Sequence, residues 1–249
     1  MSLLSGLTID KSIQTETDVL GGGGVLESGL YKATVTLAYL QKSKGGALGL
    51  VTHFKTDQGR EFRETLWITS GDAKGNKNYY EKDGEKKYLP GFIMADALCL
   101  LTVGSSIAAM DTEQKVVNVY SYDAKAEVPT KVDMLVGLLG QEINVGLLKQ
   151  TVDKNVKNDQ GVYVPSGETR DENTIDKLFR ARDNMTTAEI RAQVQEASFY
   201  KSWEEKNAGK TRDRSTKTAG NGAARPGAPA MGGAVNGAPA ARPTSSLFG

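Results

Sequence analysis

The chain has 249 residues, enough for one substantial domain or two small ones, with an ordinary 39% apolar and 24% charged composition. The formal net charge of +1 conceals an asymmetry, because from Lys206 onward seven Lys/Arg face the single acid Asp213 while the preceding part is mildly acidic. A basic arm on an acidic body suits a polyanionic partner better than a membrane, the lone Cys99 excludes an internal disulfide or a zinc ribbon, and no apolar run approaches the roughly 20 residues of a membrane span.

Residues 1–27 end in Gly21–Gly24 and read as an arm and hinge, with no secretory signal pattern at the start. From Gly29 to Leu40 apolar and polar residues alternate, which predicts a half-buried strand with Tyr31, Ala33, Val35, Leu37 and Tyr39 on one face. A basic turn, Gln41–Gly46, leads to a second strand with Leu48, Leu50, Thr52 and Phe54 inward and Val51 and His53 outward. Asp57-Gln58-Gly59 is a hairpin turn. The third strand, Arg60–Thr69, puts Phe62, Glu64, Leu66 and Ile68 on the core side and Arg63, Thr65, Trp67 and Thr69 on the other. Residues 70–88 form a polar loop rich in Lys, Tyr and Gly. It is longer than a simple connector, and long ordered loops tend to be functional.

A helix is expected from Phe92 to Val103, stopped by Gly104. Residues 115–122 read as an extra strand, and 132–139 with 141–151 as a closing hairpin turning at Gly140-Gln141. Three meandering strands, a helix and two further strands match a mainly β fold, an OB-type five-stranded Greek-key barrel with its helix between strands three and four. The expected domain spans 28–155. A helical appendage at 156–208 follows, with helices at Asn173–Arg182 and Thr186–Lys206, the second opened by the capping box Thr186-x-x-Glu189. From 209 to 249 the composition of Gly, Ala, Pro, Arg and Asn predicts a disordered basic tail ending in Leu247-Phe248-Gly249.

Enzyme signatures are missing: there is no GxxxxGK[ST], GxGxxG or GxSxG, and one histidine cannot build a His-rich metal site. The nearest catalytic fragment is Asp83-Gly-Glu85-Lys86-Lys87, which resembles the acid-plus-ExK pattern of metal-dependent nucleases. No cofactor and no metal is expected. Holding single strands without reading sequence requires cations along the phosphates and aromatic faces for unstacked bases. In an OB fold these belong on strands two and three and the flanking loops. The candidates there are Lys42, Lys44, His53, Arg63, Trp67, Lys74, Lys77, Tyr79, Tyr80, Lys86, Lys87 and Tyr88. Tyr31 and Tyr39 are assigned to the core.

Residues 28–50 (SGLYKATVTLAYLQKSKGGALGL), 64–71 (ETLWITSG), 74–92 (KGNKNYYEKDGEKKYLPGF) and 138–150 (LLGQEINVGLLKQ) resemble the single-stranded DNA-binding proteins of tailed bacteriophages. The resemblance covers about half the chain and implies an OB-like fold, single-stranded DNA as partner, roles in phage replication, recombination and repair, and a host cytoplasmic location. It does not assign DNA contacts. The tail departs from the acidic tails of related binders: it keeps the aromatic tip, Phe248, but is basic. Ser246-Leu247-Phe248 is also similar to the end of the sliding-clamp-binding peptide, which makes Leu247 and Phe248 candidate contacts to a replisome or recombination partner. A homo-oligomer is compatible with this reading. The competing assignments are a recombination mediator or annealing protein, a metal-dependent nuclease, and a phage protein without nucleic-acid affinity.

Overall fold

The computed structural model describes residues 24–121 and 124–216. It is mainly β. Strand β1 (Gly29–Lys42) is followed by β2 (Leu48–Thr56) and β3 (Glu61–Trp67) in an antiparallel meander. The β2–β3 turn closes where the Gly59 N–H donates to the Thr56 carbonyl at 2.9 Å, with Gly59 in the left-handed region at φ 77°. A small hairpin, β4 (Tyr79–Lys82) and β5 (Glu85–Tyr88), precedes helix α1 (Pro90–Thr102). Proline opens that helix, where its missing N–H costs nothing, and Gly104 at φ 75° ends it. A second hairpin, β6 (Glu113–Ser121) and β7 (Ala126–Met134), leads to the long pair β8 (Glu142–Lys157) and β9 (Tyr163–Arg180). Helices α2 (Thr187–Arg191) and α3 (Phe199–Asn207) and strand β10 (Thr211–Asp213) follow.

The main sheet runs β3–β2–β1–β8–β9 with antiparallel neighbours. Strand β1 is shared along one edge, Gly29–Thr34 pairing with β8 and Tyr39–Leu40 with β7. Where β1 begins, β10 takes over the edge of β8, running parallel with Thr211 opposite Lys149. The sheet is not closed, because no ladder among the described residues joins β3 to β9. One side chain spans that gap: the Glu64 carboxylate of β3 accepts hydrogen bonds from the Ile175 N–H at 2.5 Å and the Thr174 hydroxyl at 3.1 Å.

The core lies between the inner face of the sheet and α1. Val35, Leu50, Phe54, Leu66, Ile143 and Leu147 meet Ala95, Leu98 and Cys99 of the helix. Burial, with a smaller contribution from Asp96, pushes the Cys99 thiol up to about 12, so it packs as a small hydrophobe. On the outer face, Tyr39 and Val51 are covered by Val132 and Met134 of β7. A third cluster seats α3 on its own sheet: buried Trp203 packs against Leu148 and Phe179. Gly146 makes room, since a Cβ there would lie 2.9 Å from the indole, and Trp203 Nε1 donates to Asp176 at 2.8 Å.

Several expectations are corrected. The helix expected at 173–182 is the end of β9. Its apolar residues Ile175, Leu178 and Phe179 have helical spacing, but a bulge between the Gly146–Lys177 and Leu147–Ile175 pairs resets the alternation. Ile175 and Leu178 therefore both enter the main core, while Phe179 meets Trp203. The expected boundary at 155 falls inside β8, and the sheet continues to Arg180. The closing hairpin at Gly140-Gln141 does not form: 136–138 is a single 3-10 turn, and β8 pairs with β1 and β9. A bulge between Val35 and Leu37 also turns Leu37 and Tyr39 away from Ala33 and Val35. The helix expected over 186–206 is two helices with a break between Arg191 and Phe199. Its capping box is present. The tail expected to be disordered from 209 begins as structure, since residues 209–216 carry β10; residues 217–249, including Leu247 and Phe248, lie outside the described residues, as do residues 1–23 of the expected arm.

Candidate nucleic-acid interface

The outer face of β2 and β3 follows directly from the pairing register. Successive rows place His53 beside Arg63, Val51 beside Thr65 and Gly49 beside Trp67. The rows are two residues apart, so Arg63 and Trp67 lie roughly 13 Å apart along the strand. Tyr39 and Gln41 of β1 extend the last two rows. Trp67 is half-buried, and its indole lies across Gly49, where a Cβ would come within 2.9 Å of the ring. The strand backbone thus serves as a bed for the indole. His53 is half-buried; burial, reinforced by Arg63, lowers its pKa, so it presents a neutral ring at pH 7.

Beyond Trp67 the cations of two loops are held together. The Asp72 N–H donates to the Gly45 carbonyl at 2.9 Å. The Asp72 carboxylate fills the place a Cβ on Gly46 would take, and Gly46 has a φ of 76°. This contact clamps the β1–β2 turn, carrying Lys42 and Lys44, onto the 72–74 turn, carrying Lys74. All three lysines are exposed.

The polar loop after β3 is more ordered than expected, because Asp83-Gly84 is a two-residue hairpin turn with φ of 54° and 78°. Pairing puts Tyr79 opposite Tyr88 and Glu81 opposite Lys86 on one face, and Tyr80 opposite Lys87 on the other. The Lys77 and Lys86 ammonium groups lie 5.5 and 5.1 Å from the centroid of the Tyr79 ring, within cation–π range. Tyr88 is 57% exposed and its ring centroid is 4.9 Å from that of Phe92 on α1. Leu89 N–H donates to the Asn78 carbonyl at 2.9 Å, fixing the hairpin base to the helix start. The helix start in turn rests on Trp67, whose backbone leaves no space for a Cβ on Gly91.

The expected residues therefore divide. Trp67, Arg63 and His53 share one strand face, and Tyr79, Tyr88, Lys77 and Lys86 share one hairpin face. Tyr80 and Lys87 point the other way, and Lys87 is engaged with Glu85 at 3.2 Å. Phe92, Gln41 and Asn78 are additions. The Asp83-Gly84 pair was the available signal for the hairpin, and the hairpin brings Phe92 to Tyr88.

Most of the candidate cations lack acid partners among the described residues, a property that Lys157 and Lys177 on β8 and β9 share. Among the described residues Lys42, Lys44, Arg63, Lys74, Lys77 and Lys86 form no salt bridge, while on β8 and β9 Lys149, Lys154, Arg170 and Arg180 pair with acids and Lys157 and Lys177 do not. Cations without acid partners are the ones available to exchange counterions for phosphates. The acids of the nuclease-like fragment are spread over the hairpin tip, and among the described residues no three His, Cys, Asp or Glu side chains converge as a metal site. Among the described residues no helix is long and apolar enough to cross a membrane. No protein-family model matches the chain, and no curated protein matches its sequence.

Proposed function

We propose that this protein binds single-stranded DNA without reading its sequence, along the β3 side of the outer face, which β7 leaves uncovered, and onto the β4–β5 hairpin. The carrying observation is the juxtaposition of partly or largely exposed rings with cations that lack acid partners: Tyr79 under Lys77 and Lys86, with Tyr88 tilted against Phe92 beside it. Each stacked base contributes ~1–3 kcal/mol, so two or three bases with several phosphate contacts give useful affinity. The strand order β3–β2–β1–β8–β9, with α1 between its third and fourth strands in sequence, supports reading the sheet as an OB-type barrel in which Glu64 stands in for the closing ladder. On this reading the protein coats single strands during replication, recombination and repair in a bacterial cytoplasm, and Leu247 and Phe248 are available to a protein partner.

Fluorescence polarisation with a labelled unstructured oligonucleotide across a salt series tests the proposal. Single strands are expected to bind in preference to duplex, and log affinity to fall with log salt by roughly 0.7 for each phosphate neutralised. No binding at low ionic strength refutes it.

A further inference from the structure

A cleft of about 420 Å³ opens next to the hairpin, within the size range of small-ligand pockets. Its floor is Leu40, Leu48 and Ile68, at the end of the sheet that α1 does not fill. Phe92 forms one wall, and Ile107 and Met110 another. The second wall is rigidly placed, because the Asp96 carboxylate on α1 accepts hydrogen bonds from the Ser106 hydroxyl at 2.6 Å and the Ile107 N–H at 3.0 Å. At the rim stand Lys77 and Asn78. The Asn78 side-chain amide has no hydrogen-bond partner among the described residues and is open to solvent.

We infer that this cleft receives one unstacked nucleobase of a bound single strand. The inference rests on the single-strand-binding reading and adds a site to it. The cleft shares Phe92 and Lys77 with the exposed ring-and-cation surface, so a strand lying on Tyr79 and Tyr88 passes its mouth. A nucleobase has apolar faces and a polar edge. Apolar walls with one solvent-open carboxamide at the lip match that division, since bases extruded from a stack are held between apolar or aromatic side chains and read at their edges by hydrogen bonds. The walls accept any base face, so the cleft adds affinity with only a modest preference set by Asn78.

The test is Ala108→Trp, which fills the cleft from an exposed position on its rim. Binding to a labelled unstructured oligonucleotide is expected to weaken by roughly 5- to 150-fold, the equivalent of one stacked base. Binding to an abasic deoxyribose-phosphate oligomer should not change. If Ala108→Trp does not fold, Asn78→Leu takes its place, and the affinity differences among dA, dC and dT homo-oligomers should narrow. Unchanged oligonucleotide affinity in the folded variants overturns the cleft assignment while leaving single-strand binding intact. Failure of the unaltered protein to bind any oligonucleotide is the distinct outcome that removes both. A synthetic peptide of residues 244–249 that binds the unaltered protein but not Ala108→Trp, with DNA affinity unaffected, assigns the cleft to the chain's own apolar segment and overturns the base reading.

Discussion

Gly49 is bare because the Trp67 indole occupies the space above it. A side chain at position 49 has to displace the ring, so Gly49→Val and Trp67→Ala should each weaken oligonucleotide binding by ~1–3 kcal/mol, with tryptophan emission of Gly49→Val reporting the moved indole. The face that carries Trp67 was readable from simple alternation along β3. The bed beneath it was not, because Gly49 meets Trp67 only through a pairing register that sequence does not display. Glu189 is a second residue with more duties than its motif announced. Besides completing the capping box with Thr186, it accepts from the Ser198 and Phe199 N–H groups, each at 2.9 Å, and so caps α3 as well as α2. Burial works against its charge, yet these hydrogen bonds hold its pKa at about 2, below the ordinary 4.5. A depressed folded-state pKa gives stability that is complete above the unfolded value and is lost as pH falls from there toward 2. Glu189→Gln should therefore cost ~1–3 kcal/mol at pH 7 in urea melts and flatten the acid limb of the stability profile between about pH 4.5 and 2.

At the scale of elements, two bulges separate the legible from the illegible. Period-two reasoning identified β1, β2 and β3 and the inward set of β2. It failed after Val35, where one extra residue moves Tyr39 from the main core to the cluster beneath β7. It failed again at Asp176, where a bulge lends β9 the apolar spacing of a helix. In both places the local pattern is real, but the phase is reset by a partner distant in sequence. The hairpin makes a sharper prediction than its composition does. Tyr79→Ala and Tyr88→Ala should each weaken oligonucleotide binding by ~1–3 kcal/mol. Tyr80→Ala, one residue away but on the other face, should change it by less than ~0.5 kcal/mol. Polarisation titrations of the three variants decide this, and equal losses at Tyr79 and Tyr80 rule out a one-faced site.

For the whole molecule, the weak line is the gap between β3 and β9. The Glu64 carboxylate bridges it with a backbone and a hydroxyl donor, so its removal leaves the Ile175 N–H without that acceptor. Glu64→Ala is expected to lower stability by ~1–3 kcal/mol in urea melts and to speed hydrogen exchange at the Ile175 amide, while Glu64→Gln, which keeps an acceptor oxygen, should recover part of the loss. Sequence reading put Glu64 on the core side of β3 but had no way to supply its partner, which lies 111 positions away. The β-rich class was legible because alternation is local. The bridge across the β3–β9 gap was not, because its two donors lie 110 and 111 positions from Glu64.

Strand β10 has a practical consequence for shortened versions of the chain. It shields the β8 backbone from Lys149 to Thr151, and just past it the Arg214 N–H donates to the Thr151 carbonyl at 2.8 Å and the Thr216 N–H to Asp153 at 2.9 Å. Cutting after residue 216 leaves that cover in place, whereas cutting after residue 208 bares a stretch of strand edge able to recruit another chain. Two truncations eight residues apart should thus differ in whether they stay dispersed during purification.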